Sequence, residues 1–478
     1  MFFPFLFSIQ KMQLSNEQEC ALQLFEQGEN MIVTGPAGTG KSHLVQCMVA
    51  KAKARNKNIQ VCAMTGCAAI LLNCNATTIN SWSGFGLYKG DEESIILSVL
   101  NSKKALKRWK DVDILIIDET SMMSCRFHDT LNETGKRTRK DSRPFGGIQI
   151  IFTGDFYQLP PVSIGRVELF CFESLDWLNV FPLENHIVLE TIFRQTDPVY
   201  QSLLTNIRKG KITPEQIEFL KAYVNRPYDK TGCVPTKLFP KKSQADNINR
   251  REFDSLTGEC YEYKYIKKVG LQTFIETGKA IPSNSLLKCK KELNEKNTEQ
   301  ELVSLIRNSP VDETVFMKVG ANVMCTSNID IDSGICNGSI GMVVDFIGGK
   351  PVVKFSNGVI RTISIKYWQS EEYPTLAVGQ IPLCLAWAMT IHKIQGATLS
   401  MAEMDIGKDI FEDGQSYVAL SRVKELSGLY LSGFSPEKIK ANKKVRAFYA
   451  RIPAVEYEVE YLEEDKNMKM IDLRSWVK

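Results

Sequence analysis

The chain has 478 residues, 44% of them hydrophobic and 24% charged, a balance that supports a large buried core and excludes a disordered or fibrous protein. At roughly 100 to 200 residues per domain, this length predicts two to four domains. Lys and Arg number 59 against 55 for Asp and Glu, a formal charge of +4. That excess is too small to mark a nucleic-acid binder, so any polyanion site must come from local clustering.

Thirteen cysteines without a CxxC pair, and only four histidines (His43, His128, His186 and His392), argue against a disulfide framework and a zinc site. Free thiols in a reducing compartment account for them. The apolar start Met1 to Ile9 lacks a basic flank and is too short to span a membrane. Met12 is an alternative start. A soluble intracellular protein without membrane contact is therefore expected, nuclear if the source is eukaryotic.

In chain order, Leu14 to Gln18 opens a helix with apolar residues at Ala21, Leu22, Leu24 and Phe25. A strand at Met31 to Val33, a glycine-rich turn and a helix from Lys41 to Ala54 follow. Compact apolar runs at Gln60 to Met64, Ile114 to Ile117 and Gln149 to Thr153 read as strands buried on both faces of a parallel sheet. A helix-rich stretch, Pro198 to Val224, precedes a strand at Thr236 to Phe239 and then a lysine-rich, irregular region. From Val319 to Ile365, short strands broken at Asn337-Gly338, Gly348-Gly349 and Asn357-Gly358 predict a small antiparallel barrel. A buried strand at Cys384 to Ala388, then a helix, returns to the α/β pattern, so the barrel is expected to be inserted in a second α/β domain. The tail from Glu456 to Asp465, with six acidic residues in ten, reads as a solvated flank.

Gly35-Pro36-Ala37-Gly38-Thr39-Gly40-Lys41-Ser42 matches the phosphate-binding loop in full, between a strand and a helix as the mechanism requires. Glycines let backbone N–H groups close round phosphates, Lys41 reaches the β and γ phosphates, and Ser42 ligates Mg²⁺. ATP and Mg²⁺ are the expected cofactors. Asp118 and Glu119 end a buried strand, where an α/β sheet presents its ligands. Asp118 is expected to hold Mg²⁺ through its water shell and Glu119 to polarise the attacking water. Glu beside Asp favours nucleotide hydrolysis over transfer to a small substrate.

Gln158, in Gly154-Asp155-Phe156-Tyr157-Gln158-Leu159-Pro160-Pro161, is placed to sense the γ-phosphate, or else sits in a proline-stiffened loop. Arg194 and Arg422 are candidate fingers reaching across a cleft, although a single arginine is more often a surface ion pair. Gln18 has two readings that spacing cannot separate: partner of Ser15 in a capping box, or contact to an adenine edge. For nucleic acid, Lys136-Arg137-x-Arg139-Lys140-x-x-Arg143 is the densest basic run, and Ser81-Trp82-Ser83-Gly84-Phe85 supplies aromatics. Cations tracking phosphates and rings stacking bases would make a single-strand groove. The alternatives are a solvated loop and core aromatics.

From Leu14 to about Gly433 the chain resembles the Pif-type (petite integration frequency) DNA helicases of superfamily one. The blocks carrying the likeness include Gly35 to Ser42, Met64 to Ala69, Thr78 to Gly84, Ile116 to Met122, Arg143 to Pro161, Phe193-Arg194-Gln195, Asn206 to Gly210, Trp387 to Gly396 and Tyr417 to Arg422. The resemblance implies two RecA-like parallel-sheet lobes with ATP between them and a small all-β barrel inserted in the second. The implied layout is 12–190 for the first lobe, 191–265 and 380–450 for the second, 266–379 for the inserted region and 451–478 for an acidic tail. It further implies ATP-driven 5′-to-3′ translocation on single-stranded DNA, unwinding of tailed or forked duplex, and service in repair, recombination, replication or telomere maintenance. A monomer on DNA is expected. By matching position Arg194 and Arg422 become arginine fingers, Gln18 the adenine contact and Gln158 the γ-phosphate sensor. Thr65, Asn80, Phe85, His392 and Lys393 are assigned to the DNA side. Thr78-Ile79-Asn80-Ser81 departs from the family's Thr-Ile-His-Ser, placing an amide where a ring is common. The short stretch before the first block suggests a near-minimal core.

Overall fold

In the computed structural model, residues 14–453 are described apart from 73, 75, 87, 89, 162–167, 229–233, 271–288, 290–292, 310, 331–332, 336–337 and 371–372. The apolar start, Met12, Asn337 and the acidic run from Glu456 lie outside the described residues. Six strands, β1 (Met31–Thr34), β2 (Ile59–Ala63), β3 (Thr77–Thr78), β4 (Ile114–Asp118), β5 (Gln149–Gly154) and β6 (His186–Val188), form one sheet in the order β3-β2-β4-β5-β1-β6. Every pairing in it is parallel. Its strands read as unbroken apolar runs because both faces are covered. Met31, Val33, Ile114 and Ile116 point into a core shared with helices α1 (Asn16–Gln27) and α2 (Lys41–Ala54), while Ile32, Leu115 and Ile117 point into the opposite one. The turns after β1, β4 and β5 all leave from the carboxyl edge of the sheet, where such folds bind ligands.

A second parallel sheet joins Ala388–Thr390, Thr236–Phe239, Ala402–Ile406 and Leu429–Phe434 in that order. Between its strands the chain builds antiparallel structure, as the turn spacing predicts. A five-stranded sheet runs Ile360–Thr362, Lys350–Phe355, Ile340–Ile347, Asn322–Cys325 and Leu383–Leu385. It packs round Val323, Val343, Val353, Phe355 and Leu383. Gly348-Gly349 and Asn357-Gly358 turn successive strands of this sheet. Two smaller antiparallel sheets, of two and three strands, accompany it.

The predicted elements need three corrections. The run Cys384 to Ala388 is not one strand: Leu383–Leu385 pairs antiparallel with Asn322–Cys325, and Ala388–Thr390 pairs parallel with Thr236–Phe239. Both halves are buried, so hydropathy alone hides the switch of sheet. The helix expected next is a series of turns, Ile391 to Gly396, where the Thr390 hydroxyl takes the Lys393 N–H at 3.2 Å and competes with helix formation. The helix-rich stretch Pro198 to Val224 holds two helices as expected, Pro198–Arg208 and Pro214–Lys221, parted at Gly210 with φ +64°. The region expected to be irregular holds a 14-residue helix, Lys242–Ser255.

The last described helix, Lys443–Tyr449, returns to the first lobe. Val445 and Phe448 sink into that lobe's core, and the Tyr449 ring stacks on Tyr157 at 4.7 Å. Ala37 and Leu159 of the first lobe in turn pack within the second lobe's core. The two lobes are thus interlocked by apolar contacts on both sides of the cleft between them. Among the described residues no helix is long and apolar enough to cross a membrane.

Candidate active site between the lobes

The turn Gly35–Gly40 leaves β1 and feeds α2, whose first residue is Lys41. Gly38 and Gly40 have φ of +90° and +80°, and a Cβ on Gly38 would stand 2.5 Å from the Arg194 Cβ. Only glycine allows that approach, which seats Arg194 against the loop. Phe193 N–H also donates to the Gly38 carbonyl at 2.8 Å. The Lys41 ammonium donates to the Gly35 and Pro36 carbonyls at 2.8 and 3.0 Å, and the Thr39 hydroxyl to Pro36 at 3.0 Å. Burial lowers the Lys41 pKa, opposed by Asp155, Glu119 and Asp118. Ser42 is exposed in the first turn of α2.

Gln18 takes the capping-box role and adds a contact that its spacing did not show. Its Oε1 accepts the Ser15 N–H at 3.1 Å in a capping box, while its Nε2 donates to the Thr39 carbonyl at 3.0 Å. A helix cap therefore also braces the phosphate loop.

Asp118 ends β4, nearly buried, and takes a hydrogen bond from the Thr153 hydroxyl on the neighbouring strand. Burial raises its pKa. Glu119 adopts the left-handed conformation, φ +57° and ψ +40°, which is uncommon outside glycine and persists where surrounding structure enforces it. Burial first and Asp118 second push its carboxyl up to about 7. Its Oε2 accepts a hydrogen bond from Gln395 Nε2 of the second lobe at 2.9 Å.

The loop after β5 carries the third element. Gln158 is buried and its Oε1 has no partner among the described residues. Gly414 of the second lobe, φ +81°, presses on this loop so closely that a Cβ there would lie 2.4 Å from the Tyr157 carbonyl oxygen and 2.8 Å from that of Gln158. Asp155, fully buried, is bound by Arg208 through Nε and Nη2, the closest approach being 2.8 Å. Burial works against the Arg208 charge, but Asp155 outweighs it and holds the pKa above the ordinary arginine value. Its guanidinium also lies over the Tyr157 and Tyr449 rings, 4.6 and 5.1 Å from their centroids.

Arg194 and Arg422 converge on the same space. Arg422 is 1% exposed and bonds to the Val418 and Ala397 carbonyls and the Ser421 hydroxyl. Arg194 donates to the Ser421 carbonyl at 3.3 Å. Neither has a carboxylate at ion-pair distance among the described residues. Burial, and then Arg194, bring Arg422 down to about 10, with Glu119 the first opposing charge. Burial likewise lowers Arg194. Tyr417, from the same helix as Arg422's approach (Gln415–Leu420), receives the Ala37 N–H on its hydroxyl at 2.8 Å.

Asp155, Arg208, Gln395 and Tyr417 carry interlobe contacts, and Gln195 a contact within the second lobe, that spacing did not assign. Each lies inside a motif block, which was the available signal, but their partners are distant in sequence. Gln195 Nε2, for example, donates to the Val423 carbonyl at 3.1 Å.

The residues assigned to the DNA side scatter more widely. Thr65 caps a short helix by accepting the Ala68 N–H at 3.2 Å. Asn80 is half-buried with its Oδ1 unpartnered among the described residues. Lys393 is exposed, and His392 is half-buried against the exposed Phe411 ring at 5.9 Å, with burial lowering its pKa. Phe85 requires a correction: it is buried, packed edge-on to Phe127 at 5.5 Å, and offers no free face to a base. Trp82 is core as well. The basic run is also not a free cationic patch. Arg137 pairs with Glu93 and Glu133, Arg143 with Asp141 and Lys136 with Asp176, while Arg139 bonds the Trp109, Lys110, Val112 and Gly146 carbonyls.

The cleft thus offers loop amides at a helix start, three cationic side chains (Lys41 and Arg194 half-buried, Arg422 buried) and two carboxylates, an arrangement suited to a polyphosphate and a hard cation. Asp118 and Ser42 supply oxygen donors. Among the described residues no group of three or more His, Cys, Asp or Glu could hold a metal.

Residues 13–218 match the family described as PIF1-like helicase, and residues 302–346 match the DNA helicase Pif1 2B domain. The crystal structure of Pif1 helicase from Candida albicans is 33% identical, with a TM-score of 0.76, covering 92% of this chain and 100% of that one. That of Bacteroides Pif1 bound to ssDNA is 26% identical, with a TM-score of 0.63, covering 92% and 97%. The ATP-dependent DNA helicase PIF1 of Danio rerio is 34% identical over 446 residues, 92% of this chain and 64% of that protein. The human protein of the same name is 32% identical over 450 residues and is likewise 64% covered. The chain spans less than two thirds of the length of such curated relatives, 61 to 64%. With its α/β cores, its inserted antiparallel sheet and its interlobe phosphate-loop site, the chain belongs to the PIF1-like helicase family.

Proposed function

We propose that this chain is an ATP-dependent DNA helicase that moves 5′ to 3′ on single-stranded DNA and opens tailed or forked duplex. The observation that carries the reading is the pair Arg194, half-buried, and Arg422, buried, both held by carbonyls rather than carboxylates beside Glu119. Positive charge left uncompensated at a phosphate loop is the arrangement that stabilises a phosphoryl transition state. Relatives supply the substrates: Bacteroides Pif1 has been crystallised bound to ssDNA and in complex with ADP-AlF4.

In this reading the loop amides and Lys41 bind the β and γ phosphates of ATP, and Gln18 contacts the adenine. Ser42 and Asp118 would hold Mg²⁺, which when bound neutralises phosphate charge. Glu119 draws the proton from the attacking water, and the two arginines stabilise charge on the transferred group. Gln158, its amide oxygen unpartnered, senses the γ-phosphate, and the Asp155–Arg208 pair ties that loop to the second lobe. Closing on ATP and reopening after hydrolysis would shift the lobes along the strand.

Thr65, Asn80, His392 and Lys393 are proposed to face the strand. One chain supplies both walls of the nucleotide site, so we propose a monomer as the unit of hydrolysis. Two coordinating Pif1 helicases have been described at forked dsDNA for a relative. Ten of the described cysteines form no disulfide, in keeping with the reducing, intracellular setting we propose.

Matched duplexes with a 5′ or a 3′ single-stranded tail test the proposal. Displacement of the 5′-tailed strand alone, with ATP hydrolysis stimulated by DNA, is the expected result. Stimulated hydrolysis without displacement of either would make the chain a translocase or an ATP-gated clamp.

A further inference from the structure

The turn after Ala388–Thr390 carries two residues with opposite surroundings. Lys393 is exposed, its N–H fixed by the Thr390 hydroxyl. Two residues on, Gln395 is buried, and its Nε2 crosses the cleft to Glu119 Oε2 at 2.9 Å. Ile391 and Ile394 anchor the turn in the second lobe's core, so it moves with that lobe. Gly396 follows with φ +84°, and a Cβ there would stand 3.2 Å from a Leu71 methyl and 3.7 Å from Glu119 Oε1. The turn therefore lies directly over the carboxylate. Gln395 Oε1 is buried without a partner among the described residues, a rare state that calls for an explanation.

We propose that Gln395 is a positioning residue for hydrolysis: it holds the Glu119 carboxylate and, sharing a core-anchored turn with Lys393, relays strand engagement at the surface to that carboxylate. The inference rests on the helicase reading. Asp118, Lys41, Arg194 and Arg422 are the charged neighbours of Glu119, and their pull does not choose one oxygen. The Gln395 amide does. A general base must stand within hydrogen-bond reach of the proton it takes, and a carboxylate held at one oxygen presents the other. Movement of the turn by a bound strand would then set or release that geometry.

The test uses the whole chain with Gln395→Ala and Gln395→Met. Steady-state ATP hydrolysis is measured with and without oligothymidine, alongside the affinity for a fluorescent ATP analogue and for the strand. Both variants should lose roughly 10- to 100-fold in strand-stimulated kcat, with KM for ATP and strand affinity held within about threefold. Methionine keeps the length and packing of glutamine without its donor, so a Met variant at the wild-type rate would overturn the proposal. Equal losses in ATP affinity, strand affinity and kcat would overturn it too, since they mark a structural role. A stimulated wild type with unaffected variants removes this inference alone. A wild type that DNA does not stimulate removes the helicase reading and this inference with it.

Discussion

Two groups of cationic side chains in this molecule meet opposite surroundings. At the end of the helix Cys125–Arg139 and in the turn beyond it, Lys136, Arg137, Arg139 and Arg143 stand close in sequence, and each is matched by a carboxylate or a set of carbonyls nearby. In the cleft, Lys41, Arg194 and Arg422 are far apart in sequence, are drawn together by the fold, and face two carboxylates whose pKa values burial raises. The density of charge along the chain therefore marks the wrong region. Desolvated positive charge without an ion-pair partner marks the site, because leaving it there is costly unless an anion arrives to match it.

The sharpest way to break this comparison is to remove cleft charges. Lys41→Ala should abolish ATP-dependent unwinding, and Arg422→Ala or Arg194→Ala should cut kcat by roughly 10³-fold or more. Both arginine variants should keep ATP binding by fluorescence titration. Near-normal turnover in any of the three would place the phosphates elsewhere. Glu119→Gln should bind ATP and scarcely turn it over.

Arg208 separates pairing from catalysis. Arg208→Ala leaves Asp155 buried without its partner and should cost about 3 to 5 kcal/mol of stability, visible as a lower Tm. A Tm close to wild type would show that the pair is not the interlobe tie described above.

A smaller effect follows from the raised Glu119 pKa. An acid whose folded pKa lies above its unfolded one binds more protons when folded, so its contribution to stability is lost as pH rises. Between about 4.5 and 7, without nucleotide or Mg²⁺, wild-type Tm should fall relative to that of Glu119→Gln. Parallel pH profiles would contradict that environment for Glu119. At the bottom of the scale, Arg137→Ala and Arg143→Ala should leave Tm close to that of the wild type and strand affinity unchanged. A clear loss of affinity would return the basic run to the DNA side.

How far the sequence could be read depended on whether partners are local. The phosphate loop and the buried strands are contiguous patterns, and their boundaries fall within about a residue or two of the observed ones. The contact from Gln18 to the Thr39 carbonyl is not legible from spacing, because the two residues lie 21 positions apart. Phe85 looked available because it follows a glycine in a short loop, while the ring that covers it, Phe127, comes 42 positions later. The split of Cys384 to Ala388 between two sheets was hidden for the same reason: burial is visible in composition, but the identity of the neighbouring strand is not. Arg208 and Asp155 each lay in a motif, yet the bond between them spans 53 positions.

The most direct measurement is steady-state ATP hydrolysis by the wild type and Arg422→Ala, each with and without single-stranded DNA and with ATP binding measured in parallel. The account predicts a wild type stimulated by DNA and a variant that binds ATP but does not turn it over under either condition. Wild-type turnover by the variant would contradict the claim that Arg194 and Arg422 face the phosphates.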